Sequence, residues 1–326
     1  CGTTPEYIKD LVETVDLTPA VKLSETAAKK ECEKPVIKKS FFRNTDGTIK
    51  DKKLIAVELA PPFGADDKKL LEAAHSLKGL GVDVLTFPDS PSGRTRIDSV
   101  LMAQKVKNET GFDVMPHICC RDKNAIAMRS TFLGASINGI NNFLIITGDP
   151  IPVMARQVVK SVFNFDSVGL MRIADEMNSD SLKNQPITYG GAINQGRLRI
   201  EAEIKRVQKK MDAGAEFFLT QPVFTAEDAE RLRRVKEETG ARILCGIMPL
   251  VSRKNALFMK NEISGVNVTD EVIERYPEST SREDGENIGV ELAKEMIAIT
   301  KDFADGYYFS FPFNRTYLLK RIIAEI

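Results

Sequence analysis

The chain reads as an α/β protein: a (β/α)8 barrel (TIM barrel) with an N-terminal helical and linker extension. Three observations predict this. Eight short apolar runs recur along the 326 residues, at 54–60, 82–89, 113–120, 142–149, 186–194, 217–223, 242–249 and 306–313. Stretches with a charged, helix-like pattern separate them. The runs are nearly continuous rather than alternating, as strands buried on both faces require. A barrel of this kind takes about 250 residues, and its chemistry sits where the strands end. A doubly wound sheet, the rival, needs a topological switch point and fewer repeats.

Taken in order, residues 5–16 (PEYIKDLVETVD) predict one amphipathic helix. Residues 17–53 are polar, carry Pro19 and Pro35 and lack sustained periodicity, which reads as a linker or surface arm. The compact domain is expected to begin near Lys53, dividing the chain into 1–53 and a 54–326 barrel. The first barrel helix, over 65–79, places Leu70, Leu71, Ala74 and Leu77 on one face. Further helices are expected over 96–110, 123–136, 168–178, 197–213, 226–239, 253–263, 286–303 and 315–326. Gly79, Gly111, Gly214 and Gly240 fall at helix stops, where a left-handed residue is cheapest.

Composition narrows the function classes. Forty-six basic residues balance forty-six acidic ones, with no basic block, so nothing favours nucleic acid or a membrane surface. No apolar run approaches the roughly 18 residues of a membrane span. The five cysteines (Cys1, Cys32, Cys119, Cys120 and Cys245) are odd in number and follow no disulfide framework. With no signal-peptide pattern at the start, reduced thiols in a cytoplasmic protein are the expectation.

Several apolar runs end on residues able to do chemistry. Glu58 falls at the expected end of the first strand, in Val57-Glu58-Leu59-Ala60-Pro61-Pro62, where two prolines stop the strand and leave the carboxyl at the barrel mouth. Desolvation there raises a carboxyl pKa and suits a general acid near neutral pH. Asp149 closes the fourth in Thr147-Gly148-Asp149-Pro150; a turn also explains that sequence, and so does a polar cofactor edge. Gln221 falls at the expected end of the sixth strand, where an amide can both donate and accept to a heterocycle or satisfy the barrel's own top layer. His117 lies close to Cys119 and Cys120, but neighbouring strand residues point to opposite faces, so no metal site is expected. Glu203 and Lys210, two turns apart, read as a solvated helix face. Arg315, just past the eighth run, is placed to clamp a carboxylate. No GxGxxG or P-loop spacing occurs.

Together these motifs resemble the methylenetetrahydrofolate reductase family. The likeness runs from about Leu54 to the C-terminus. It rests on seven motifs in order: 57–62, 116–122, 147–149, 211–215, 220–222, 246–249 and 311–315. It implies an enzyme of one-carbon metabolism and methionine biosynthesis: a barrel holding FAD at the strand ends, reducing 5,10-methylenetetrahydrofolate to 5-methyltetrahydrofolate with NAD(P)H in a ping-pong scheme. It further implies Glu58 as general acid and Asp149 beside the flavin pyrimidine. Gln221 and Phe311 would then lie on the folate, and Arg315 on the folate tail. Thr86, His117, Thr147, Gly148, Phe165, Ser167, Gly191, Asn194, Glu203 and Lys210 would fall on flavin contacts. The chain departs from the family at Thr147, where an arginine is usual, at Phe311, where a tyrosine is usual, and at 189–195, where Gly190, Gly191 and Asn194 replace an aromatic and histidine-containing loop. The alternative is a folate- or flavin-holding module that takes its electrons from, or passes methyl-folate to, a partner.

Residues Cys1-Gly2-Thr3-Thr4-Pro5-Glu6-Tyr7-Ile8 resemble the end of the zinc-binding motif of homocysteine S-methyltransferases. That implies a bifunctional protein with an upstream methyltransferase domain, of which 1–53 would be the remnant and linker. Cys1 alone cannot hold zinc. A homo-oligomer is a further expectation.

Overall fold

The computed structural model describes residues 4–14, 36–263 and 265–325. Eight parallel strands, β1 (Leu54–Glu58), β2 (Val84–Phe87), β3 (Val114–Cys119), β4 (Asn142–Ile146), β5 (Thr188–Ile193), β6 (Phe218–Pro222), β7 (Ile243–Ile247) and β8 (Gly306–Ser310), close in chain order, with β8 pairing back to β1. Each falls inside one of the eight apolar runs, and the (β/α)8 barrel is the fold. The helix α1 (Pro5–Thr14) belongs to a separate unit, 1–35, and exposes Tyr7, Ile8, Leu11 and Val12. Cys1 to Thr3, the first residues of the methyltransferase likeness, and the linker residues 15–35 lie outside the described residues.

Between strands run α2 (Lys68–Ser76), α3 (Ser99–Thr110), α4 (Ala125–Ile137), α5 (Ser167–Ser179), α6 (Ile200–Asp212) and α7 (Ala226–Thr239). After β7 come α8 (Arg253–Glu262) and α9 (Asp270–Glu274), then α10 (Arg282–Thr300), which packs on α7. The starts follow side-chain chemistry: Asp98, Asn124, Asp166, Thr225, Ser252 and Ser281 each accept from a backbone N–H of the helix they precede. Two helical expectations change. The five-residue α9 is too short to show a period. The helix expected over 315–326 is broken, because Pro312 and the left-handed Phe313 and Asn314 start a 3-10 turn and α-helical structure holds only over α11 (Leu319–Ile322).

Period-two alternation sorts the strand residues into two cores. Ile55, Val57, Leu85, Phe143, Ile145, Tyr307 and Phe309 face outward into the layer shared with the helices. Leu54, Ala56, Val84, Met115, Leu144, Leu219 and Leu244 face inward and fill the barrel together with Phe217. Phe217 fits because residue 190 is glycine; a Cβ there would lie 2.4 Å from the ring.

The inner core also contains Phe41 and Phe42, both wholly buried. The Phe41 ring meets Phe217 edge to face at 5.1 Å, and its N–H donates to Asn142 Oδ1 at 3.0 Å. The compact unit therefore begins at Val36, not near Lys53. The stretch looks like a linker because its charges are many, yet two adjacent aromatic rings plug the barrel base. Among the described residues, no helix is long and apolar enough to cross a membrane.

Candidate active site

Toward the strand C-termini the barrel interior turns polar. A cavity of about 280 Å³ is walled there by Glu58, His117, Asp149, Gln221, Tyr308 and Ser310, and Met259 of α8 and Ile263 also line it. The β1–β8 register sets Ala56 against Tyr308 and Glu58 against Ser310, which aims three polar side chains at one another. Ser310 Oγ donates to Glu58 Oε1 at 3.0 Å, and the Tyr308 hydroxyl donates to Oε2. Glu58 is half-buried, with its exposed part facing the cavity and its carboxyl enclosed by protein. Burial raises its pKa; the two hydroxyls pull the other way and only reduce the shift. Burial and the neighbouring Glu58 hold the Tyr308 phenol well above its usual value, so it acts as a donor.

His117 is 5% exposed, and burial lowers its pKa to about 3, which keeps the imidazole neutral. Its Nε2 is buried without a hydrogen-bond partner, and so is the hydroxyl of Thr86, the residue in register with Glu58 on β2. Buried polar atoms normally find partners; two orphans at the reactive end of a barrel mark a place for a polar ligand.

The turn after β4 is rigidly held. Gly148 has a φ of +96°, and a Cβ there would come within 3.0 Å of Cys119 Cβ, so the backbone passes closer than any other residue permits. Asp149 Oδ2 accepts from Ser92 N at 2.7 Å. The buried Arg121 donates to Asp149 O (2.9 Å) and Ser90 O (3.1 Å), and forks onto Asp122 at 2.8 and 2.7 Å. Thr147 Oγ1 accepts from the N–H of Ser167, the first residue of α5, at 3.3 Å. Asp89, Cys119 and Asp122 bring possible metal-ligand atoms within 4.8 Å of one another. However, burial pushes the Cys119 thiol up to about 12, and Asp122 is taken by Arg121.

Against these geometries, the methylenetetrahydrofolate reductase family model matches residues 43–323. The chain belongs to the methylenetetrahydrofolate reductase family. It is thereby an oxidoreductase enzyme. The reductase of Buchnera aphidicola is 24% identical over 262 residues, covering 76% of this chain and 85% of that one. That of Salmonella typhimurium is 26% identical over 208 residues, 62% of this chain and 66% of its own length. A solved barrel, an uncharacterized protein from Clostridium thermocellum that binds two copies of 5-methyl-5,6,7,8-tetrahydrofolic acid, matches with a TM-score of 0.61 at 16% identity. The match covers 84% of this chain and 96% of that one, and at such identity it speaks for the fold.

Of the residues the sequence singles out in this reductase-family chain, Glu58, His117, Asp149 and Gln221 meet at the cavity. Thr86, Thr147, Gly148 and Ser167 are not in its lining: Thr86 is in register with Glu58, Thr147 and Gly148 precede Asp149 in the chain, and Ser167 N donates to Thr147 Oγ1. Glu203 and Lys210 lie outside its lining, behind β5, and they are not a solvated face: they are 1% and 5% exposed. Glu203 Oε1 accepts from Asn194 N at 3.0 Å, Lys210 Nζ donates to Ala192 O at 2.5 Å, and a Cβ on Gly191 would touch Lys210. Burial lowers the Lys210 pKa to about 8. Phe165 packs at the edge of the outer core, and Phe311 stacks on Phe309 at 5.8 Å. Arg315 does not open on the cavity: its guanidinium is held by Glu286 at 2.8 Å.

The sequence reading missed Asp89, Arg121, Tyr308 and Ser310. Asp89 lines the cavity, takes the Cys119 N–H at 3.1 Å and has a pKa raised by burial. Its signal was present, since it ends the second apolar run just as Asp149 ends the fourth. Tyr308 and Ser310 gave no such signal, because their role depends on the β1–β8 register.

Proposed function

We propose that the protein reduces 5,10-methylenetetrahydrofolate to 5-methyltetrahydrofolate, with FAD as its cofactor and NAD(P)H as the electron source. The observation that carries this reading is Glu58, a carboxyl with a raised pKa, hydrogen-bonded on both oxygens and facing the cavity at the strand ends. Family membership and the folate ligands of the Clostridium thermocellum barrel are in keeping with it.

A flavin suits the residues present. The orphan atoms of His117 and Thr86 offer hydrogen bonds to a heteroaromatic edge, and the glycine at 148 leaves room for close backbone approach. Thr86, His117, Thr147, Gly148 and Asp149 would hold it, with Ser167 at the start of α5. When bound, FAD carries hydride from the nucleotide to the folate, which makes the scheme ping-pong.

The chain's own residues prepare the folate. Glu58 donates its proton to N10 of the methylene bridge; the C–N10 bond breaks and an N5-iminium cation forms, whose methylene carbon then accepts hydride and becomes the methyl group. Gln221 meets the pterin edge with an amide able to donate and accept. Asp149 supplies negative charge close to the cation. Met259 and Ile263 give the cavity apolar lining beside these polar groups.

The purified protein is expected to be yellow, to bleach with NADH or NADPH without air, and to recover its colour on adding methylenetetrahydrofolate. Bleaching by neither nucleotide, together with stoichiometric folate binding, favours the second reading, a folate-holding module fed by a partner. That reading draws on the loop after β5, where Gln195 is turned inward onto the Gln221 and Pro222 carbonyls and no aromatic side chain faces the cavity.

A further inference from the structure

Four consecutive residues of β6, Leu219 to Pro222, line the cavity at the strand ends. A regular strand offers only alternate residues to one face. The pairing with β7 explains the difference. Leu219 stands opposite Leu244 and Pro222 opposite Gly246, so β6 advances three residues where β7 advances two. One extra residue on one strand is the count of a β-bulge, a device that re-aims side chains beside active sites. The Gln221 side chain makes no hydrogen bond to protein among the described residues. Its aim into the mouth is therefore set by its backbone.

Carbonyls that a bulge takes out of the ladder need other donors. Thr220 Oγ1 donates to the Gln221 carbonyl at 2.7 Å and accepts from Gly246 N at 2.8 Å. The second donor comes from a different element. Gln195, in the turn between β5 and α6, is 2% exposed, and its Nε2 donates to Gln221 O at 3.0 Å and to Pro222 O at 3.2 Å. Its Oε1 is buried without a partner, a cost that an apolar residue of the same size would avoid. Filling space alone does not call for a glutamine there. The turn that carries it is itself held: Asn194 N donates to the buried Glu203 at 3.0 Å, and Asn194 Oδ1 accepts from Gly196 N at 3.0 Å.

We propose that Gln195 is a positioning residue for the folate: by clamping the Gln221 and Pro222 carbonyls it fixes the bulge that turns the Gln221 amide toward the pterin. The proposal rests on the folate reading above. It makes the turn after β5 part of substrate recognition, although Gln195 is not in the cavity lining. An amide held by its backbone loses less freedom when it meets the ligand, which is how a buried residue outside the cavity acts on affinity.

A double-mutant cycle tests it, with 5-methyltetrahydrofolate titrated calorimetrically into the flavin-loaded protein. Gln195→Met keeps the volume, removes the donors and should bind about tenfold more weakly, the upper range of a neutral hydrogen bond. Gln221→Ala should lose about as much. The double variant should bind no more weakly than Gln221→Ala alone, because Gln195 acts through Gln221. Additive losses, about a hundredfold together, or wild-type affinity in Gln195→Met, overturn the proposal. Hydrogen exchange gives a readout that needs no ligand. The Gly246 N–H should exchange about tenfold faster in Gln195→Met while the β1 amides keep their rates, and unchanged Gly246 protection also overturns it. Thr220→Val, which removes the other donor to the Gln221 carbonyl, should likewise weaken binding, and it replaces Gln195→Met in the cycle if that variant does not fold. The two readings fail separately. Lost Gly246 protection in a protein whose wild type binds no folate removes the folate reading and leaves the clamp on the bulge. Folate binding by wild type with unchanged Gly246 protection in the variant does the reverse.

Discussion

Glu58 is balanced between opposed influences. Enclosure favours the neutral acid, while two hydroxyl donors favour the carboxylate, and enclosure wins. Removing a donor must therefore push the carboxyl further up. In Tyr308→Phe the acid form should persist to higher pH, so that the alkaline limb of the folate half-reaction moves up by about one to two pH units, from a hydrogen bond of about 1.5–3 kcal/mol to a charged group. Rapid-mixing pH profiles of wild type and variant check this; an unmoved or lowered limb contradicts the assigned hydrogen bond. At this scale Glu58, Asp149 and Gln221 were legible because each interrupts an apolar run where a strand must stop. Tyr308 and Ser310 were not, since aromatic and small polar residues in a strand say nothing until the partner strand and its register are known. Glu203 and Lys210 were misread because a charged pair at helical spacing is ordinarily solvated, and nothing local shows that α6 turns this face inward.

Among the elements, the eight strands were readable because parallel strands buried on both faces leave long apolar runs. The base plug was not. Phe41 and Phe42 stand in a charged stretch without periodicity, and their burial comes from closure of the barrel rather than from any local pattern. Their packing is a stability claim: Phe41→Ala should cost about 3–5 kcal/mol, the usual range for emptying a buried aromatic site. Urea unfolding measures it, and a loss below about 1 kcal/mol would mean that 36–53 is the surface arm its composition resembles. The broken last helix has a local cause in Pro312 and the left-handed pair after it.

For the whole molecule, the barrel divides along its axis into an apolar, aromatic-plugged base and a polar mouth. The division has a pH signature through His117. Its pKa falls from 6.5 to about 3 in the folded protein, so between those values the unfolded chain takes up a proton that the folded chain does not. Stability from this residue is complete above about pH 6.5 and declines as pH falls, by up to about 1.4 kcal/mol per unit. Urea midpoints at pH 7, 6 and 5 should show that slope in wild type and a shallower one in His117→Gln; identical slopes contradict a neutral buried imidazole.

The central claim is that this mouth reduces methylenetetrahydrofolate with Glu58 as the acid, and splitting the reaction into its halves tests it most directly. Flavin bleaching by nucleotide and its reoxidation by methylenetetrahydrofolate would be followed separately in wild type and Glu58→Gln. The account predicts that the variant keeps nucleotide-driven bleaching and loses folate-driven reoxidation by about 10²–10⁴-fold, the range of a missing general acid. Reoxidation at the wild-type rate in Glu58→Gln would contradict it.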